Sequence, residues 1–263
     1  GHIWRMGTKT LKKATNTASR RELAPSGRKT HGKHAAKAVS NAAVSKAALS
    51  KRSAAAPARQ QPYHHGDLHQ TLLATAERIL ERDGIRGLTL RAVAREAGVS
   101  HAAPTHHFGD LARLLSELAA IGFRRFTDAL VEASADKPFP EAGRARAKAY
   151  VGFAQASPAM FKLMFRRDRL DMGCPVLNEA QSCAFVIMAS AVGERRNEQV
   201  EKEHLTLAQA ADIARVWSLV HGFATLAIDG RLNEILHGLP EGTSIDMLLD
   251  AMLDTLLTAR CSS

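Results

Sequence analysis

A chain of 263 residues, 45% hydrophobic and with a formal net charge of +10, is long enough for one large domain or two small ones with a real core. It holds no run of about eighteen apolar residues, so no membrane span is expected. Its only cysteines, Cys174, Cys183 and Cys261, are odd in number and lack metal-ligand spacing, which argues against structural zinc and for reduced thiols in a reducing cytosol.

Residues 1 to 62 differ from the rest. They hold 14 Lys or Arg against the single acid Glu22, a net +13 that leaves −3 for the remaining residues. Trp4 is the only aromatic there, too little apolar material to offset the entropy of ordering, so a disordered basic N-terminal arm is expected. Such an arm attracts phosphates without reading sequence; a solubilising tail or an overextended start has the same composition. No secretory signal is expected, because the basic start leads into no apolar stretch, and Met6 reads as the natural start.

From Tyr63 the composition becomes globular. Asp67 can cap a helix whose inward face is Leu68, Leu72, Ala76, Ile79 and Leu80, ended by Asp83-Gly84. Leu90, Val93, Ala94 and Ala97 then recur at helical spacing, Gly98 stops that helix, and Ser100 can cap a second one through Phe108. Small Ala94 permits close approach, Gly98 can take the positive φ of a tight turn, and Val99 plugs the corner, which together make a helix-turn-helix signature. An ordinary helical hairpin has the same parts. Residues 63 to 112 carry five Arg, no Lys and six acids, weak charge for a nucleic-acid module, but six of the twelve histidines. His101, His106 and His107 lie on the second helix with no Cys or carboxylate to complete a metal shell, so no metal site is expected.

Gly109-Asp110 caps a long helix with Leu114, Leu118 and Phe126 inward, ending near Lys137-Pro138. Amphipathic stretches follow over 141 to 156, over 158 to 165 and after Pro175. A longer one carries Leu207, Ala210, Ala214, Trp217, His221, Ala224 and Ile228, and a last one runs from Ser244 to about Ala259. Nothing alternates with a strand period and there is no internal repeat, so the globular part is all-α. Phe153, Met160, Phe161, Met164, Phe165, Met188 and Trp217 could line a cavity for an apolar ligand or simply form a packed core. His221, one turn beyond Trp217, fits a hydrogen-bonded core position or a ligand contact, and Gly222 fits a close helix contact. No nucleophile with its base, no paired carboxylates and no metal set occur at recognisable spacing, so no enzyme and no cofactor are expected.

Tyr63-His64-His65-Gly66-Asp67-Leu68, the helix-turn-helix ending in Phe108-Gly109-Asp110, and Trp217-Ser218-Leu219-Val220-His221-Gly222 together resemble the TetR/AcrR family of bacterial transcriptional regulators, the last motif resembling its Trp-His-Gly subgroup. The resemblance covers about 63 to 260. It implies a three-helix DNA-binding domain over 63 to 112, a helical ligand-binding and dimerisation domain over 113 to 260, and a homodimer through the last two long helices. It further implies double-stranded DNA with a palindrome-like operator, a small-molecule inducer and a cytoplasmic, nucleoid-associated protein. Carried over residue by residue, Thr89, Arg91, Ser100, His101, Ala102, Thr105 and His106 are the expected DNA contacts; the candidate ligand contacts, chosen for their own side-chain chemistry, are Phe153, Phe161, Met164, Phe165, Met188, Trp217 and His221. Two positions depart from the family: Thr105 replaces an aromatic and Leu111 replaces a Lys, both usually phosphate contacts. A ligand-responsive repressor is the expected function; a sequence-nonspecific nucleoid-type protein relying on its basic arm is the alternative.

Overall fold

The computed structural model describes residues 65 to 258; the basic arm, Tyr63, His64 and Cys261 lie outside them. The described residues are all helical: α1 His65–Gly87, α2 Leu90–Glu96, α3 Ala102–Phe108, α4 Leu111–Ser134, α5 Glu141–Ala156, α6 Pro158–Met164, α7 Pro175–Arg196, α8 Leu207–Ile228, α9 Asn233–His237 and α10 Ile245–Thr258. Helix α1 begins at His65, so Asp67 lies inside its first turn instead of preceding it. Leu72, Ala76, Ile79 and Leu80 are its buried stripe. The chain breaks helical geometry at Gly84, whose φ of 68° a Cβ would strain, and so swings Leu88 into the core.

Local chemistry sets the other ends. Pro158 and Pro175 occupy first turns, where their missing N–H costs nothing. Thr206 and Gln209 form a reciprocal capping box at the start of α8. A 3₁₀ turn at Arg167–Arg169 and the short α9 have too few residues to show a periodicity in the sequence.

Helix α4 is the spine. It carries eleven buried residues, and α1, α3, α5, α6 and α7 all pack on it. The expected boundary between 112 and 113 falls in its first turn, so the two halves of the molecule share one helix. Helix α7 is, by length and composition, apolar enough to cross a membrane, the one such helix among the described residues, although no run of eighteen apolar residues exists. Its Leu177, Ala180, Ala184, Ala189 and Val192 are buried within the protein, where it packs on α4 and α8.

Helices α4 and α6 approach each other closely at Gly122. A Cβ on Gly122 would lie 2.8 Å from the Met160 sulfur and 2.9 Å from that of Met164. Gly122→Val overpacks this contact and is expected to cost about 1–3 kcal/mol. That lowers the melting temperature by roughly 2–4 °C per kcal/mol in a domain of this size. Gly152→Ala on α5, where an added Cβ meets nothing within 4 Å, is the control and leaves stability equal or higher in thermal denaturation followed by circular dichroism.

Candidate nucleic-acid interface and ligand cavity

The helix-turn-helix is closed by its own backbone. The Thr89 hydroxyl accepts the Ala92 N–H at 3.1 Å and opens α2. At its far end the N–H groups of Gly98 and Val99 reach the carbonyls of Arg95 and Ala94, with Gly98 at φ 68°. Fully buried Val93 and Ala94 face inward and Val99 packs against the core. Ser100 does not cap α3: His101 precedes the helix and gives it no side-chain cap. The first turn of α3 is instead stiffened by Pro104, which is buried with Phe108 one turn on.

That inward pair fixes what α3 shows to solvent. Ala102, Thr105 and His106 are exposed on it, with Ser100 and His101 before it and Thr89 and Arg91 beside it on α2, so all seven candidate DNA contacts lie on the surface. His107 turns inward against His69, ring centroids 6.0 Å apart. Leu111, the other departure from the family, packs against the core at the start of α4. Arg82 is held by Asp83 and Glu96, and Arg78 lies 3.5 Å from Glu96. Arg86, Arg91 and Arg95 have no carboxylate partner among the described residues.

Polar ties fasten this module to the rest. His69 Nε2 lies 3.0 Å from Glu117 Oε2, and Glu117 also accepts from Arg113 at 3.0 Å. Arg113 in turn lies 3.6 Å from Asp171, whose N–H donates to buried Ser116 at 2.8 Å. Arg125 forks onto Glu77 of α1.

A cavity of about 120 Å³ lies at the other end of α4. Leu130 of α4, Phe139 and Pro140 of the following loop, Ala147 and Tyr150 of α5, Ile187, Met188, Ala191 and Val192 of α7, Val216, Leu219 and Val220 of α8, and Leu253 of α10 wall it, together with four arginines. Of the candidate ligand contacts only Met188 lines it. Phe161 and Met164 are buried in the core, with Met160, and Phe153 and Phe165 pack against that core. They form an aromatic cluster in which Phe126 meets Tyr150 edge-on at 4.8 Å and Phe165 meets His221 at 4.5 Å.

Trp217 and His221 reach the cavity through Tyr150. The Trp217 indole N–H donates to the Tyr150 oxygen at 3.3 Å, so the hydroxyl hydrogen is free to go to His221 Nδ1 at 2.9 Å, which accepts as the neutral tautomer. Burial pushes the His221 imidazole below its ordinary value and pushes the Tyr150 phenol up, the latter against the hydrogen bond from Trp217. Sequence reasoning named the two outer members of this relay and missed the middle one. The signal available was Tyr150 itself, a polar-tipped aromatic on an otherwise apolar helix face.

Residues 72–118 match the family model described as bacterial regulatory proteins, tetR family, and residues 144–256 match that described as tetracyclin repressor-like, C-terminal domain. Among solved structures, a protein of unknown function from Rhodococcus sp. RHA1 is 37% identical, with a TM-score of 0.60 over 74% of this chain and 96% of that one. The TetR family transcriptional regulator PfmR from Thermus thermophilus is 17% identical, with a TM-score of 0.50 over 71% of this chain and 96% of that one. The transcriptional regulator FadR from Bacillus subtilis, in complex with stearoyl-CoA, is 14% identical, with a TM-score of 0.53 over 72% of this chain and 98% of that one. The last two are likenesses of fold. No curated protein matches.

The relay makes a pH-dependent optical signal. With its folded value depressed, His221 contributes stability that is complete above the unfolded value of about 6.5 and is lost as pH falls through the folded one. Protonated Nδ1 donates and can no longer accept from Tyr150. In a Trp4→Phe background, where Trp217 is the remaining indole, its emission is therefore expected to change as pH drops below about 6.5. The same titration in His221→Gln, whose side-chain oxygen accepts without titrating, stays flat.

Proposed function

Because the chain belongs to the TetR family of bacterial transcriptional regulators, DNA-binding proteins that carry a ligand-binding C-terminal domain and are not enzymes, we propose that it is a repressor released from a palindrome-like operator by a small, largely apolar inducer. One observation carries the reading: the helix capped by Asp110 directly behind the recognition helix puts Leu130 in the cavity wall. Twenty residues of α-helix span about 30 Å, so a ligand that displaces the far end of α4 acts on α3 through one rigid element. The shift can be no larger than the inducer's preference for one arrangement over the other. The Trp217 to Gly222 segment supports placing the chain in the Trp-His-Gly subgroup.

In this reading Thr89, Arg91, Ser100 and Thr105 lie toward phosphates and position the protein, while His101, Ala102 and His106 face base edges. The active species is a homodimer through α8 and α10, with two recognition helices about 34 Å apart for successive major grooves. On those helices Trp217, Leu226 and Met247 are 38%, 45% and 56% exposed, and a Cβ on Gly222 would meet nothing within 4 Å. Such apolar side chains are left for a second copy. The basic arm adds phosphate contacts that read no bases, and the protein acts in the cytoplasm on the nucleoid.

Three outcomes follow. Sedimentation at micromolar concentration gives a dimer, and Trp217→Glu with Met247→Glu gives a monomer that no longer binds operator. In salt titrations, removal of residues 1 to 62 lowers the slope of log affinity against log salt by about 3 to 4 for each arm that meets four phosphates. The ratio of operator to random DNA binding survives the deletion, whereas a nonspecific coating protein has no such ratio to lose. Genome-wide binding in the native host supplies the operator for both experiments. In a thermal-shift screen, compounds that stabilise the wild type lose their effect on Ala191→Phe, which fills the cavity.

A further inference from the structure

The cavity wall holds Arg144, Arg146, Arg195 and Arg215 and no Asp or Glu. Two of the four are neutralised. Arg146 forks onto Glu194 at 2.8 and 2.9 Å and also donates to Ser134 at 3.0 Å. Arg144 donates to Asp250 at 3.2 Å and to Asp254.

The other two have to share one carboxylate. Asp212 is shared by three guanidiniums: Arg196 at 2.8 Å, Arg195 at 2.5 Å and Arg215 at 3.6 Å. Among the described residues the further acid in that cluster is Glu198, which takes Arg196. Three positive charges thus meet two negative ones, and the surplus lies with the pair that lines the cavity. Arg195 meets Asp212 through Nη2 at 2.5 Å, while its buried Nε has no hydrogen-bond partner. A buried charged donor left without an acceptor is costly, and guanidiniums in excess over carboxylates favour an anionic partner.

We infer that the inducer is an amphipathic monocarboxylate whose acid group meets Arg195 and Arg215 and whose apolar body lies among Leu130, Ile187, Met188 and Leu219. The inference rests on the ligand reading of the cavity and narrows it from an apolar compound to an organic acid. A cavity of about 150 Å³ elsewhere is known to take benzene, so the present 120 Å³ suits a ring or a short branched chain. Amines are rejected, because a cation would stand beside Arg195 and Arg215, whose charge a shared Asp212 offsets only in part. Tyr150 lines the same cavity and keeps its hydroxyl engaged with Trp217 and His221, so the acid is read by the arginines.

The test is calorimetric titration of the full-length protein with benzoate, the neutral benzamide and the cationic benzylamine. The acid is expected to bind at least about tenfold more tightly than the amide, the order of one charge-assisted hydrogen bond, and the amine not to bind. Arg195→Met should bring acid and amide to within about twofold while leaving the amide's affinity in place. Arg215→Gln, at a side chain 42% exposed that folding does not need buried, should lose part of the preference. Equal binding of acid and amide by the wild type, or an acid preference that survives both substitutions, overturns the inference. Amide binding that Ala191→Phe abolishes keeps the cavity as a ligand site whatever the acid does; no binding by any of the three overturns the inference outright.

Discussion

Helix α4 has to satisfy two cores with one surface. Near its start Glu117 is tied to His69 and further on Arg125 is tied to Glu77, both partners on α1. Beyond them Phe123 meets Phe165, Phe126 meets Tyr150 and Phe153, and Leu130 reaches the cavity. Burying Phe126 and Leu130 contributes about 1.5–3 kcal/mol each, as does burying Leu114 and Leu118 at the other end, so neither half can release the helix without unfolding something. A displacement of one end is therefore passed to the other instead of being absorbed.

The polar groups near the cavity divide into two sets with different partners. Tyr150, Trp217 and His221 satisfy one another and join the cavity wall to the exposed face of α8, so they connect ligand space with the surface on which Trp217 stands. The arginines form the second set, and only part of it is satisfied within the chain. Interiors rarely leave charged donors unpaired, because the desolvation of each is returned only by an acceptor. A wall that is apolar over most of its area yet carries four arginines thus presents charge as well as shape to whatever enters it.

The fold was legible where one physical cause acted alone. The stripe Leu72, Ala76, Ile79, Leu80 marks α1, the Gly98 turn with Val99 marks the helix-turn-helix, and Pro158 and Pro175 mark helix starts within a residue. Legibility failed where two causes competed. Ser100 is a good capping residue, yet Pro104 and Phe108 set the phase of α3 from inside, and His101 takes the capping position unused. Phe161 and Met164 have the composition of a pocket and the spacing of a core; helical spacing decided, and the cavity formed one layer away among Ile187, Ala191 and Leu219, residues with no chemical mark in the sequence. The arginines were invisible for another reason. Whether a guanidinium is neutralised depends on partners such as Asp250 and Glu194, dozens of positions away in the chain.

The contact of Gly122 with Met160 and Met164 bears on the kind of motion available to this molecule. A glycine offers no knob to lodge between side chains, and unbranched thioethers re-rotamerise at little energetic cost. A smooth face against a pliable one resists being pulled apart, since separation opens a void, but offers small resistance to sliding along the helix axis. The movement that α4 can make against α6 is thus a shear of an ångström or so, not a hinge opening. In the dimer proposed above, two protomers each sheared in the same sense would change the separation of their α3 helices while every helix kept its own hydrogen bonds.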